Sequence, residues 1–117
     1  MMESVVMSIG KEAISQKEPL IILFDESATE ELRKFSVIQQ FKTKDIKKIA
    51  VGDCLFFDDQ KYTIKSVGPV ANQHLEEMGH ISIVFKEAGS EDQLANALYV
   101  EPFELPNIKE GTVIRYA

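Results

Sequence analysis

The chain has 117 residues, of which 44% are hydrophobic and 27% are charged, a size and composition sufficient for one domain with a buried core. A single cysteine, Cys54, excludes an internal disulfide. The net charge of −6 argues against a general nucleic-acid binder, whose affinity comes from neutralising phosphates. No apolar stretch approaches the roughly 20 residues of a membrane span, and the N-terminus lacks the positive region of a secretory signal. We therefore expect one cytoplasmic domain over residues 1–117.

Short alternating segments separated by turn residues make up most of the chain. Alternation with a period of two is typical of strands that bury one face. The strand-like segments, in chain order, are residues 2–9, 20–24, 35–41, 49–57, 62–67, 81–85, 98–100 and 108–116. Short helices are predicted over residues 28–34, 72–78 and 90–97.

The number and spacing of these segments predict a mainly β domain. None of the predicted helices is long enough for the crossover of a βαβ sheet, which favours a barrel or sandwich. The expected fold is a small closed or partly open β-barrel or sandwich of about eight short strands with two or three short helices.

Two of the strand-like segments resemble each other. Residues 49–57 and 108–116 share the pattern Ile-x-x-Gly-x-x-aliphatic-x-aromatic. A glycine turn entering an alternating strand explains both segments, and such units recur in barrel walls. Duplication would also explain them, and two short matches leave that question open.

The most distinctive stretch is residues 67–85, which reads Val-Gly-Pro-Val-Ala, then a short polar helix with Leu75, then Gly79-His80 and an alternating strand. Asn72 is predicted to cap the start of the helix. Gly79 is predicted to end it in the left-handed conformation.

This order and spacing resembles the glucitol/sorbitol-specific IIA components of the bacterial phosphoenolpyruvate:sugar phosphotransferase system. The resemblance runs from about residue 20 to the C-terminus. It implies a compact β-barrel-like domain that carries a phosphoryl group on a histidine and needs no cofactor. It also implies two partners, the histidine phosphocarrier protein HPr as donor and the IIB domain of the membrane transporter (IIB/IIC) as acceptor.

The resemblance places Gln39 where the family has its phosphorylated histidine, and Phe41 where the family has a second one. The amide nitrogen of glutamine has its lone pair delocalised into the carbonyl, so it is not a nucleophile for phosphorus, although it can still hydrogen-bond an anion. The resemblance therefore implies a IIA component that is impaired in phosphoryl transfer or lacks it.

Two histidines remain, His74 and His80. His80 matches the Gly-His pair of the family and is interpreted as a loop anchor or, alternatively, as a surrogate phosphoryl acceptor. His74 lies among polar residues and is predicted to be a solvated surface residue. No metal site is predicted, because the chain has neither an i,i+4 histidine pair nor a Cys/His cluster.

A basic cluster interrupts the acidic sequence. Its members are Arg33, Lys34, Lys42, Lys44, Lys47 and Lys48. The ordinary interpretation is a solvated loop or a strand edge that uses lysines against aggregation. The functional interpretation is a basic patch that docks an anionic partner surface, formed by Lys42, Lys44, Lys47 and Lys48.

Two functions therefore remain open at this stage. The chain is either a IIA component phosphorylated at a residue such as His80, or a non-catalytic regulatory or binding paralogue of that family. HPr is expected to present a basic rim to its partners, so the neighbouring lysines would repel it and slightly favour the second alternative.

Overall fold

The structure, a computed structural model, describes residues 2–15, 17–43, 48–87, 89 and 93–117. Within these residues eight strands close into a barrel, which confirms the predicted mainly β fold and decides for a closed barrel. The strands are β1 (Met2–Ile9), β2 (Leu20–Phe24), β3 (Val37–Phe41), β4 (Cys54–Phe57), β5 (Gln60–Val67), β6 (Ile81–Val84), β7 (Ala97–Glu101) and β8 (Val113–Tyr116). The two helices are α1 (Glu30–Arg33) and α2 (Ala71–Met78).

The barrel is mixed, with the hydrogen-bonded order β1-β3-β2-β6-β7-β5-β4-β8. β2 pairs with β3, and β6 with β7, in parallel, whereas the other neighbours are antiparallel. Each parallel pair is joined by a crossing segment, residues 25–36 or 85–96, near the dozen residues that a parallel connection requires. Among the described residues these two segments contain only the short helix α1, so the predicted lack of a long crossover helix holds there and yet does not exclude parallel neighbours.

The third predicted helix lies in the second crossing segment. Residues 90–92 fall outside the described residues, and residues 93–96 are not helical but lead through a turn into β7. Helix α1 lies in the first crossing segment, where the Thr29 hydroxyl accepts a hydrogen bond from the Leu32 amide. This contact caps a helix of a single turn.

The barrel has an approximate internal twofold relation. Exchanging β1 with β5, β2 with β6, β3 with β7 and β4 with β8 reproduces every strand pair and its direction. The register shifts fall at equivalent places, between Val6 and Ser8 in β1 and between Ile64 and Ser66 in β5. The repeated pattern in the sequence therefore reflects two related halves, each with four strands. In the barrel order, β4 lies between β5 and β8, and β8 lies between β4 and β1.

Helix α2 packs one apolar edge on the barrel, with Ala71 and Leu75 buried in the core. Gly79 ends the helix with φ of 58°, as predicted, and its amide donates to the carbonyls of His74 and Leu75. The predicted cap at Asn72 is wrong, because the helix begins at Ala71 and has no side-chain cap.

Asn72 instead ties α2 to another segment. Its Oδ1 accepts from the Ile49 amide at 2.7 Å, and its Nδ2 donates to the Ile49 carbonyl at 3.0 Å. A side-chain amide matches both hydrogen-bonding groups of one backbone residue, so this pair fixes the chain that follows the lysine-rich segment against the helix.

Candidate functional site

His80 lies just before β6, next to the end of β2 and to helix α2. Its ring stacks on Phe24 with 4.0 Å between the ring centroids and 19° between the planes. The His74 ring, from α2, lies nearly parallel to it with 5.9 Å between centroids. Because β2 and β6 are paired and α2 leads directly into β6, the strand register and the Gly79 turn together bring these three rings into one cluster.

Both nitrogens of the His80 ring have partners. Nδ1 lies 3.1 Å from the Leu23 carbonyl oxygen, and Nε2 lies 2.8 Å from Nδ2 of Asn96. A carbonyl can only accept, so Nδ1 carries the proton. The Nε2 lone pair then accepts from the Asn96 amide, and both contacts fit a neutral ring with a single tautomer. The predicted loop-anchor interpretation describes this geometry, and the fixed tautomer also leaves one defined nucleophilic nitrogen.

His74 is not the solvated residue that the sequence predicted. Its side chain is half-buried, and Nδ1 is buried without a hydrogen-bond partner among the residues that the structure describes. The prediction fails because the Gly79 turn brings the His80 ring back against the His74 ring of α2, a contact that the polar neighbours of His74 in sequence do not reveal.

The pKa of His80 is lowered from the ordinary value of 6.5, first by burial and then by the nearby His74, against a raising effect of the Leu23 hydrogen bond. We expect the ring to titrate below 6.5 when the long-range proton–nitrogen couplings of the two imidazoles are followed by NMR. His80 then has a higher pKa in the unfolded chain than in the folded one, so the unfolded chain binds the proton first as the pH falls. The free energy of unfolding should therefore decrease as the pH drops through the His80 pKa of the unfolded chain toward that of the folded chain.

The matched control for this titration is His80→Gln, which keeps a polar side chain and removes the titrating group. The variant should lose the His80 part of the pH dependence of unfolding. A His80 ring that titrates at or above 6.5 in the wild-type chain would contradict the burial described here.

Gln39 lies inside the barrel, with 0% of its surface exposed. Its Oε1 accepts from Ser4 Oγ and from Tyr116 Oη, both at 2.7 Å, and its Nε2 donates to the Gly79 carbonyl at 2.9 Å. Burial raises the pKa of the Tyr116 hydroxyl far above its ordinary value, so this group remains a neutral donor. A side chain so enclosed cannot contact a partner protein, and the match of residue 39 to the acceptor position of the family stays a prediction.

The predicted docking patch is only partly described. Lys42 and Lys48 are exposed, whereas Lys44 and Lys47 lie outside the described residues. The Lys42 ammonium donates to the Gln40 side chain at 2.9 Å. Arg33, from the same basic cluster, is occupied locally, because its guanidinium donates to the carbonyls of Ala28 and Glu26. The patch therefore stays a prediction.

The residues His74, His80, Phe24 and Asn96 form what we call the histidine cluster. The sequence analysis did not predict that Phe24 and Asn96 belong to it. Phe24 ends an apolar run, and Asn96 lies in a segment that was predicted to be helical, so neither carries a local signal of contact with His80. Both depend on the placement of β2 and β7 on either side of β6. Within the described residues, no group of three or more His, Cys, Asp or Glu side chains could hold a metal ion. No helix in that part of the chain is long and apolar enough to cross a bilayer.

The fold and the site together define a small β-barrel domain in which an imidazole with a fixed tautomer lies beside a second imidazole. The chain belongs to the PTS system glucitol/sorbitol-specific IIA component family, whose model matches residues 1–115. Among solved structures it is similar to the PTS system IIA component from Enterococcus faecalis V583, with 42% identity, a TM-score of 0.94 and 98% of each chain covered. No curated protein matches the chain.

Proposed function

We propose that this chain is a phosphoryl carrier of the phosphotransferase system, which receives the group from HPr on Nε2 of His80 and passes it to IIB. One observation carries the proposal: the Leu23 carbonyl fixes the proton on Nδ1, so the neutral ring offers its lone pair on Nε2. Imidazole with a pKa below 6.5 is unprotonated at neutral pH and is a competent nucleophile.

The transfer step forms one bond to phosphorus and breaks another. The Nε2 lone pair of His80 bonds to phosphorus while the phosphorus–nitrogen bond in the phosphohistidine of HPr breaks, and the HPr imidazole keeps the electron pair. The ring of His80 gains positive charge as the bond forms. The Leu23 carbonyl, hydrogen-bonded at Nδ1, stabilises that charge. Transfer to IIB is a second displacement, in which a nucleophile of IIB forms a bond to phosphorus while the bond from phosphorus to Nε2 of His80 breaks, and the His80 ring keeps the electron pair.

We propose that this relay is impaired relative to a carrier with a free acceptor. Gln39 supplies no nucleophile, and the Nε2 lone pair of His80 already accepts from Asn96 at 2.8 Å. The amide must move away before phosphorus can approach, which adds an unfavourable step before the transfer.

The alternative function is a non-catalytic regulatory or binding paralogue. The same Asn96 contact favours it, since an occupied lone pair is a structural hydrogen bond before it is a nucleophile. Under either function the expected partners are HPr and the IIB/IIC transporter, which the chain would meet in the cytoplasm. The proposed docking patch of Lys42, Lys44, Lys47 and Lys48 would suit an acidic surface of a partner rather than the basic rim expected of HPr.

The test is phosphorylation followed by intact mass. The chain is incubated with phosphoenolpyruvate, enzyme I and HPr, and compared with His80→Ala, His80→Gln and Gln39→His. We expect one acid-labile phosphoryl group on the wild-type chain and none on either His80 variant. Gln39→His should gain no second group, because residue 39 is enclosed in the barrel.

His74→Gln is the matched control, since it removes the other imidazole and leaves the proposed acceptor. Labelling of His74→Gln together with loss in both His80 variants supports the carrier. Labelling that persists without His80 would move the acceptor elsewhere, and a wild-type chain that stays unlabelled beside phosphorylated HPr would favour the non-catalytic alternative.

A further inference from the structure

The two related halves of the barrel bury different kinds of side chain at equivalent positions of the lumen, a polar amide in the first half and an apolar group in the second. Val6 pairs with Gln39 in the first half, and its counterpart Ile64 pairs with Val100 in the second. Val100 is 1% exposed, so the fold buries an apolar residue where the first half buries an amide. A barrel of this kind therefore does not need an amide at that position to close.

The same contrast holds for the two hydroxyl groups that surround Gln39. Applying the exchange of halves places Tyr62 at the position of Ser4, and Phe57 at the position of Tyr116. Tyr62 and Phe57 pack edge-to-face at 5.7 Å, and the Tyr62 hydroxyl donates to the Glu104 carbonyl rather than to a side chain in the lumen. Among the residues described, the side-chain network centred on Gln39 therefore has no equivalent around Val100 in the second half.

Gln39 connects this network to the turn that carries His80. Oε1 accepts from the two hydroxyl groups, and Nε2 donates to the carbonyl of Gly79, the residue immediately before His80. On its other side Gly79 packs closely on Asp25, because a Cβ built on Gly79 would lie 2.6 Å from the Asp25 Cβ. The turn is therefore held between the lumen and the chain that follows β2.

We propose that Gln39 is a positioning residue: its amide holds the Gly79 carbonyl and thereby sets the His80 ring against Leu23 and Asn96. An amide suits this role, because one uncharged group supplies an acceptor for two hydroxyls and a donor for a carbonyl. A carboxylate could not donate to Gly79, and an apolar side chain could do neither. The consequence for phosphoryl transfer rests on the proposed function, whereas the placement of the ring does not.

The test compares Gln39→Leu with Tyr116→Phe by NMR of the His80 ring. Tyr116→Phe removes one hydroxyl from the same network and keeps the bond from Gln39 to Gly79, so it reports general loosening of the lumen. In Gln39→Leu we expect the His80 pKa to rise toward the unperturbed value of about 6.5 and the ring to lose its single Nδ1–H tautomer. In Tyr116→Phe both properties should stay as in the wild-type chain.

Transfer kinetics add a second measurement. If the wild-type chain is labelled by phospho-HPr, Gln39→Leu should be labelled about 10- to 100-fold more slowly, because small displacements of a reacting group have effects of that size. Tyr116→Phe should be labelled at close to the wild-type rate.

The inference fails if a folded Gln39→Leu keeps the wild-type His80 pKa and tautomer, or if Tyr116→Phe changes them to the same extent. Should Gln39→Leu not fold, Gln39→Glu takes its place above neutral pH, where the carboxylate accepts but cannot donate to Gly79. A wild-type chain that is never phosphorylated would overturn the proposed function and leave the NMR comparison to decide the positioning role.

Discussion

Replacing Gly68 by alanine is expected to destabilise the barrel by about 3 kcal/mol or more, because the added methyl group meets backbone that cannot give way. A Cβ at this position would lie 2.2 Å from the Ala95 carbonyl oxygen and 2.8 Å from that of Leu94. Both carbonyls belong to the segment that crosses from β6 to β7. The melting temperature, followed by circular dichroism, should fall by roughly 10–20 °C.

The internal twofold relation supplies an equivalent for this substitution. Gly10 lies at the corresponding place, with a Cβ position 2.0 Å from the Arg33 carbonyl oxygen, so Gly10→Ala should have a similar effect. Gly89→Ala is the control, since no atom of the described residues lies within 4 Å of its Cβ position, and it should stay within about 0.5 kcal/mol of the wild-type chain. A Gly68→Ala chain as stable as Gly89→Ala would mean that the crossing segment does not approach the glycine as described.

Gln39→Leu is expected to lower the free energy of unfolding by about 3 kcal/mol or more, measured by urea denaturation. The substitution leaves three buried groups without the amide: the Ser4 and Tyr116 hydroxyls and the Gly79 carbonyl. Each buried group that loses its partner costs about 1–3 kcal/mol, although some can find a substitute.

The triple variant Ser4→Ala, Gln39→Leu and Tyr116→Phe distinguishes the cost of unsatisfied buried hydroxyls from the cost of altered side-chain packing. Removing both hydroxyls together with the amide leaves only the Gly79 carbonyl unsatisfied, so the triple variant should be more stable than Gln39→Leu alone. Gln40→Leu, the half-buried neighbour that bonds Lys42, is the surface control and should change stability by about 0.5 kcal/mol or less. A triple variant less stable than the single one would show that the hydroxyls contribute packing that the apolar replacements do not restore.

Most of the strands could be predicted from the sequence, because a period of two is a local property and the turn residues between strands are local as well. The same reasoning identified Gly79 as the end of α2. The order of the strands was not predictable in this way. Parallel pairing of β2 with β3 and of β6 with β7 depends on contacts between distant segments, and short alternating runs carry no information on their neighbours.

The candidate site was predictable only in part, for a related reason. The Gly-His pair pointed to His80, but its partners come from Leu23, Phe24 and Asn96, which become neighbours only when the barrel closes. The resemblance assigned Gln39 to the acceptor position of the family and said nothing of its burial. In β3 residues 37 and 39 share one face, and both are fully buried inside the barrel.

The placement of β4 and β8 has a consequence for folding. Each is the last strand of its half, yet each is hydrogen-bonded on both sides to strands of the other half. The arrangement is that of a strand-exchanged dimer joined into one polypeptide, so neither half alone can complete its sheet. The His80 environment inherits this dependence, since β2 and Gln39 come from the first half and Gly79, His80 and Asn96 from the second. The site therefore forms only when both halves have assembled, and it is absent from any intermediate in which one half is structured alone.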